Sequence, residues 1–340
     1  MIRILTPTRA VFKNDLITRL GIIKRLESEG YPTGLEVVLV GGPEKDLKET
    51  DKIKANLENH AKNTYLTVHA PIEDKDFTKK WTDLTAYDGV ETFYKTLKLG
   101  IDIGAKIVNV HSNKYIFGKE LQAREFQAKE KHDLQRDTAL GIDQARVASG
   151  YNGIISLENW PYPPMGDRDN ITTIGETPYD PVIYTLNDMR QMALLFRSEK
   201  DKVCLDTCHY GITRKILNES MEHGKEKRGV LDVPVLDEQP ELSRMPSLMG
   251  PLLGYVHFSD CKGTWDLSKN SFYQEGFVPG EGDLGTECSM FLRNLERSDL
   301  PVLLEVKDED FQKCAETRRA MDYVSSILKK YASNQQNSTN

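Results

Sequence analysis

Six short apolar segments of this 340-residue chain end in a side chain able to hold a metal ion. His69 closes YLTVH, His111 follows KIVNV, Glu158 closes GIISLE, Asp206 closes KVCLD, His257 closes GYVH and Glu305 closes PVLLE. A single buried histidine or glutamate is ordinarily a hydrogen-bonded core residue. Six at equivalent positions demand another reason. Three carboxylates brought together in a low-dielectric pocket repel one another, and no lysine or arginine recurs at these segment ends. A divalent cation is the simplest compensation. Three imidazoles and three carboxylates exceed what one tetrahedral ion takes, so one or two ions are expected. Mixed nitrogen and oxygen donors suit zinc, manganese, cobalt or iron better than calcium. His209 follows Asp206 in DTCHYG, where it should begin the loop above the strand with a ring nitrogen free to meet substrate or a further ion.

Residues so far apart in sequence need a fold that gathers them. The apolar segments number eight: IRILTP, LEVVLVGG, YLTVHAP, KIVNVHS, GIISLENW, KVCLDTCH, GYVHFSD and PVLLEVKD. Between them lie amphipathic stretches such as NDLITRLGIIKRLESEG and VETFYKTLKLGIDIG, with apolar residues at helical spacing and glycine as the stop. Eight strands each followed by a helix predict an α/β fold of the (β/α)8 barrel type. An open doubly wound sheet is the rival, but the glycine-rich phosphate turn expected after its first strand is missing. In a barrel all strand ends meet at one face, where the sites of this fold are built. Side chains alternate along a strand. Thr67, Asn109, Ser156 and Cys204 therefore share the interior with His69, His111, Glu158 and Asp206, whereas Val68, Val110, Leu157, Leu205, Val256 and Leu304 face the helices. A single domain over 1–331 is expected, with long loops at 160–180 and 211–250 and a disordered polar tail at 332–340.

Composition narrows the function classes. Hydrophobic residues make up 39% and charged residues 29%, and no apolar run approaches the length needed to cross a bilayer. The start, MIRILTPTRA, lacks the apolar core of a signal peptide. Five cysteines, an odd number, then read as free thiols in a cytoplasmic protein. A net charge of −7 gives no global basic footprint for nucleic acid. Lys262 and Lys307 follow two of the ligand candidates and are placed to meet an anionic group. Glu281, inside PGEGDLG, is a candidate for the mouth of the site, and Glu36, in GLEVVLV, is an acid on the second strand.

The order Glu158, Asp206 with His209, His257 and Glu305 resembles the xylose isomerase-like TIM barrels, a superfamily of sugar isomerases and epimerases together with endonuclease IV. VCLDTCH is similar to an endonuclease IV signature, VHFSDCKGTWD resembles a second one imperfectly, and PGEGDLG also matches. The resemblance implies one ion on His69, His111 and Glu158, and a second on Glu158, Asp206, His257 and Glu305, with Glu158 bridging. A third ion would need His209 plus an Asp-x-His pair, for which the chain has Gln274 and Gly276. The loop APIEDKD lacks the aromatic–apolar pair of a DNA wedge. The isomerase branch implies an ion that stabilises an enediolate, Glu158 and Glu305 as acid and base, and His209 on a substrate oxygen. Glu36 resembles a strand-two acid of that branch. Two activities stay open: an isomerase or epimerase acting on a small carbohydrate or keto acid, and a two-ion phosphodiesterase acting on abasic DNA or another phosphodiester.

Overall fold

The computed structural model describes residues 2–39, 46–72, 82–114, 116–117, 128–161, 178–223, 239–263, 275–295, 300–310 and 312–338. Its strands are β1 (Arg3–Thr8), β2 (Thr33–Val38), β3 (Tyr65–His69), β4 (Ile107–Val110), β5 (Ile116–Phe117), β6 (Ile154–Glu158), β7 (Pro178–Tyr179), β8 (Asp201–Asp206), β9 (Leu253–Phe258) and β10 (Pro301–Leu304). The helices are α1 (Lys13–Ser28), α2 (Thr50–His60), α3 (Tyr87–Asp102), α4 (Ala128–Ser149), α5 (Leu186–Leu195), α6 (Thr207–His223), α7 (Met245–Met249), α8 (Thr286–Asn294) and α9 (Ala315–Ser338).

Eight parallel strands close in the order β1-β2-β3-β4-β6-β8-β9-β10, and β10 returns to β1 through Arg3↔Pro301 and Ile4↔Val302. The fold is the (β/α)8 barrel that the eight apolar segments predict. Alternation sorts the two faces as expected. Val68, Val110, Leu157, Leu205, Val256 and Leu304 lie in the large apolar layer between barrel and helices. Inside the barrel, Leu5, Ile107, Cys204, Tyr255 and Leu303 pack as a separate apolar floor below the strand ends. β5 and β7 pair antiparallel outside the barrel.

Three boundaries differ from the sequence expectation. Residues 211–223 are helical rather than loop, because Asp206 caps α6: its Oδ1 accepts the His209 N–H at 2.7 Å. His209 therefore sits in the first helical turn. Residues 242–249 add a short 3-10 turn and α7, and most of the remainder of the two long loops lies outside the described residues. The final helix runs to Ser338, so the backbone of 332–338 is helical where a disordered tail is expected. Among the described residues no helix is long and apolar enough to cross a membrane.

Candidate metal centre at the mouth of the barrel

β3, β4, β6, β8, β9 and β10 deliver their terminal side chains to one place. Glu158, Asp206, His257 and Glu305 offer ligand atoms that all lie within 4.8 Å of one another, and His69, Glu158 and His257 do the same. Glu158 is the hub. Its Oε2 lies 3.3 Å from His69 Nε2, 3.5 Å from His111 Nε2 and 3.2 Å from His257 Nδ1, and it accepts a hydrogen bond from Asn109 Nδ2. His257 Nδ1 also lies 2.7 Å from Glu305 Oε2. His257 thus belongs to both groups, whereas His111, 3.5 Å from Glu158, belongs to neither among the described residues.

Whether these residues fit a cation is decided by their chemistry. His257 Nδ1 and Glu305 Oε2 are buried atoms without a hydrogen-bond partner despite their proximity, and His111 Nδ1 is buried without one as well. Among the described residues, no lysine or arginine pairs with Glu158, Asp206 or Glu305. Converging lone pairs of this kind are what an ion satisfies. The supporting contacts orient the rings for it. His69 Nδ1 donates to Ala70 O at 2.8 Å, which turns Nε2 toward Glu158. On the far side of His257, Nε2 lies 3.5 Å from Glu36 Oε2, and Glu36 also accepts the Tyr255 hydroxyl at 2.9 Å. Glu36, in mid-strand, thus reaches the site through His257. The site is a possible divalent-metal centre with one or two positions.

Burial and mutual charge set the titration of the cluster. Burial pushes Asp206 up to about 8 and drops His111 to about 3, leaving it the neutral ring that ligation requires. Burial also disfavours the His209 imidazolium, but the charges of Asp206 and Glu275 and the Glu275 hydrogen bond outweigh it and push the ring up to about 10. Burial resists ionisation of Glu158 too, yet the surrounding imidazoles hold it well below the usual range.

A cavity of about 480 Å³ adjoins the centre. Asp206, His209 and Glu305 border it on the metal side, and Arg9 from the β1–α1 turn, Asp15 from the first turn of α1, Glu275 and Lys307 are among the other polar residues of its wall. Glu305 is 43% exposed by side chain, whereas Glu158 is 1% exposed and lies beneath it. The His209 ring has no free nitrogen: Nδ1 donates to Asn159 O at 2.8 Å and Nε2 lies 3.0 Å from Glu275 Oε2. This corrects the expectation of a ring nitrogen open to the pocket.

Two expected substrate contacts are turned elsewhere. Lys262 Nζ stacks 4.5 Å over the Phe277 ring, and Glu281 pairs with Arg319 of α9. Neither is among the described residues that line the cavity. The glycines around Glu281 serve Asp260 instead. That buried carboxylate accepts N–H bonds from Cys261, Gly280, Gly282, Leu284 and Gly285 at 2.7–3.2 Å. A Cβ on Gly282 would overlap Cys261 O, so glycine is required there. Sequence reasoning put Asn109 inside the barrel without giving it a role, and missed Asn159, Glu275 and Trp160, whose ring lies 4.8 Å from that of His111 and 5.3 Å from that of His209. Asn109 carries a signal, since it shares strand parity with His111. Glu275 carries an indirect one, since the family resemblance sets its neighbours Gln274 and Gly276 beside His209, but only the fold turns Glu275 itself to that ring.

The family model described as xylose isomerase-like TIM barrel matches residues 33–327. The chain belongs to that family. Solved structures of two epimerases and of an endonuclease IV resemble it in fold. L-ribulose 3-epimerase superposes with a TM-score of 0.59 at 14% identity, covering 100% of this chain and 99% of that one. A 3-keto-D-glucoside 4-epimerase from E. coli gives 0.57 at 14% identity, covering 96% and 100%. Endonuclease IV from Thermus thermophilus gives 0.52 at 15% identity, covering 96% and 99%. At such identities the likeness is one of fold. No curated protein matches the sequence.

Proposed function

We propose that the protein is a metal-dependent isomerase or epimerase that moves a proton next to the carbonyl of a small carbohydrate or keto acid. The observation that carries this reading is the quartet Glu158, Asp206, His257 and Glu305 beside a cavity of about 480 Å³, a volume in the range of small-molecule sites. The names of two fold neighbours, both epimerases of sugars or glucosides, support it. The quartet would hold one divalent ion of the zinc, manganese or cobalt type, which when bound supplies Lewis-acid polarisation of a carbonyl oxygen. The protein's own residues do the rest. Glu305, half open to the cavity, is the carboxylate placed to accept and return a proton. Glu158 lies underneath, held by Asn109 and ringed by histidines, and serves as partner acid and shared ligand. His209 borders the cavity beside Asp206; with both ring nitrogens held by Asn159 and Glu275, it acts on a substrate oxygen through its positive charge rather than through a hydrogen bond. Five free, buried cysteines support a reducing, cytoplasmic setting.

The cluster His69, Glu158 and His257 favours a second reading, a two-ion phosphodiesterase of the endonuclease IV kind. It offers a second ion position next to the first, with Glu158 shared. Both readings are separated by one pair of assays on the metal-loaded protein. Incubation with a panel of ketoses and keto acids in deuterated water should place deuterium beside the carbonyl, and Glu305→Gln should abolish it. An abasic-site duplex should stay intact. Cleavage of that duplex, lost in Glu158→Gln, with no exchange across the panel would reverse the assignment.

A further inference from the structure

Among the described residues, four carboxylates line the cavity: Asp15, Asp206, Glu275 and Glu305. Asp206 and Glu305 belong to the quartet. Asp15 accepts the Thr8 hydroxyl and the Arg9 backbone N–H and is committed to the β1–α1 turn. Glu275 has no such local duty. Its Oε2 lies 3.0 Å from His209 Nε2, and its Oε1 accepts Lys307 Nζ at 3.1 Å.

The backbone that carries Glu275 is fixed from two sides. Phe277 and Asp260 exchange N–H bonds of 2.9 and 3.0 Å, and Lys307 N donates to Gly276 O at 2.8 Å. Gly276 has φ +75°, and a Cβ there would lie 2.7 Å from Lys307 Cγ, so the turn needs glycine. The opposite nitrogen of His209 is fixed just as firmly. Asn159 O takes Nδ1, and the Asn159 side chain is strapped to Asp206 by bonds of 2.7 and 3.2 Å. Acceptors at both ring nitrogens determine the plane and tilt of the imidazole. With one removed, the ring keeps a single anchor and is free to swing into the cavity.

We infer that Glu275 is the positioning residue that sets the His209 ring against the substrate cavity, with Lys307 holding Glu275 in turn. The catalytic consequence rests on the isomerase reading; the placement of the ring does not. A misplacement of about 1 Å costs on the order of 100-fold in rate. Glu275→Ala should therefore lower kcat by about 10- to 100-fold with KM nearly unchanged. Glu275→Gln, which keeps an acceptor for Nε2, should restore most of it.

The readout independent of activity is the His209 Nε2–H signal in the ¹⁵N-histidine spectrum of the zinc-loaded full-length protein, assigned by its loss in His209→Gln. It should be protected in the wild type, vanish into solvent exchange in Glu275→Ala and return in Glu275→Gln, with zinc content constant throughout. Lys307→Met, which leaves the Glu275–His209 bond in place, should speed exchange severalfold and serves if the alanine variant does not fold. A signal unchanged in both Glu275→Ala and Lys307→Met overturns the inference. Loss of one zinc equivalent from Glu275→Ala also overturns it, since Glu275 would then be a ligand. If no ketose or keto acid exchanges in the wild type, the isomerase reading fails while the spectral arm still decides the placement.

Discussion

Asp260 offers the sharpest test of how the mouth of the barrel is held. Its carboxylate is fully buried and gathers N–H groups of Cys261, Gly280, Gly282, Leu284 and Gly285, with Cys288 Sγ at 3.7 Å. Asp260→Ala leaves all of these donors without an acceptor. Those of Cys261 and Leu284 are in wholly buried bonds, and each orphaned buried donor costs about 1–3 kcal/mol. The glycine donors are partly exposed, so water replaces some of what they lose. The expected loss is about 3–5 kcal/mol, less than the sum over all donors because the loop relaxes as a unit. Asp260→Asn is the discriminating variant. It keeps one carbonyl oxygen but turns an NH2 group toward donors already present, so about 2–4 kcal/mol should still be lost. Urea unfolding of the metal-saturated protein measures both. If Asp260 were an ordinary loop residue, the asparagine variant would lie within about 0.5 kcal/mol of wild type. That result, or a loss under about 1 kcal/mol for alanine, would refute the account.

Three further outcomes follow from the same structure. Gly282→Ala should lower the urea midpoint markedly, because its Cβ would lie 2.5 Å from Asp260 Oδ1 as well as against Cys261 O. Burial, against the Ser112 hydrogen bond, pushes Asp180 up to about 6 from an ordinary value of 3.8. A raised carboxylate favours the fold below its unfolded value and loses that contribution as pH rises through the folded one. The stability of wild type relative to Asp180→Asn should therefore fall between about pH 3.8 and pH 6 and stay level above, as read by urea titrations across that window. Chelation should lower Tm, because an ion that binds only the folded centre stabilises it by mass action; restoring zinc or manganese should reverse the shift, and a Tm indifferent to both would count against the centre.

Much of the fold was legible because barrel strands are short, apolar and separated by amphipathic helices, a pattern that survives in one dimension. The parity of Thr67 with His69 and of Asn109 with His111 was legible for the same reason. Sequence failed where identity depends on a long-range partner. Lys262 and Glu281 looked like mouth residues by adjacency to His257 and to a glycine turn, but Phe277 and Arg319 draw them away. His209 looked like a loop residue because Asp206 counted only as the end of its strand, although an aspartate there also caps the next helix.

The sequence by itself determined the barrel and the set of strand-end donors, because alternation along a strand and repetition of the strand–helix unit are local rules with a fixed geometric result. Tertiary structure alone decided how those donors divide. It placed His257 rather than His111 beside both clusters, sank Glu158 beneath a half-exposed Glu305, and closed both nitrogens of His209 with Asn159 and Glu275. Those outcomes depend on ångström-scale distances between chain segments far apart in sequence. Such distances are set by barrel closure and by the turn held on Asp260, which no local pattern encodes.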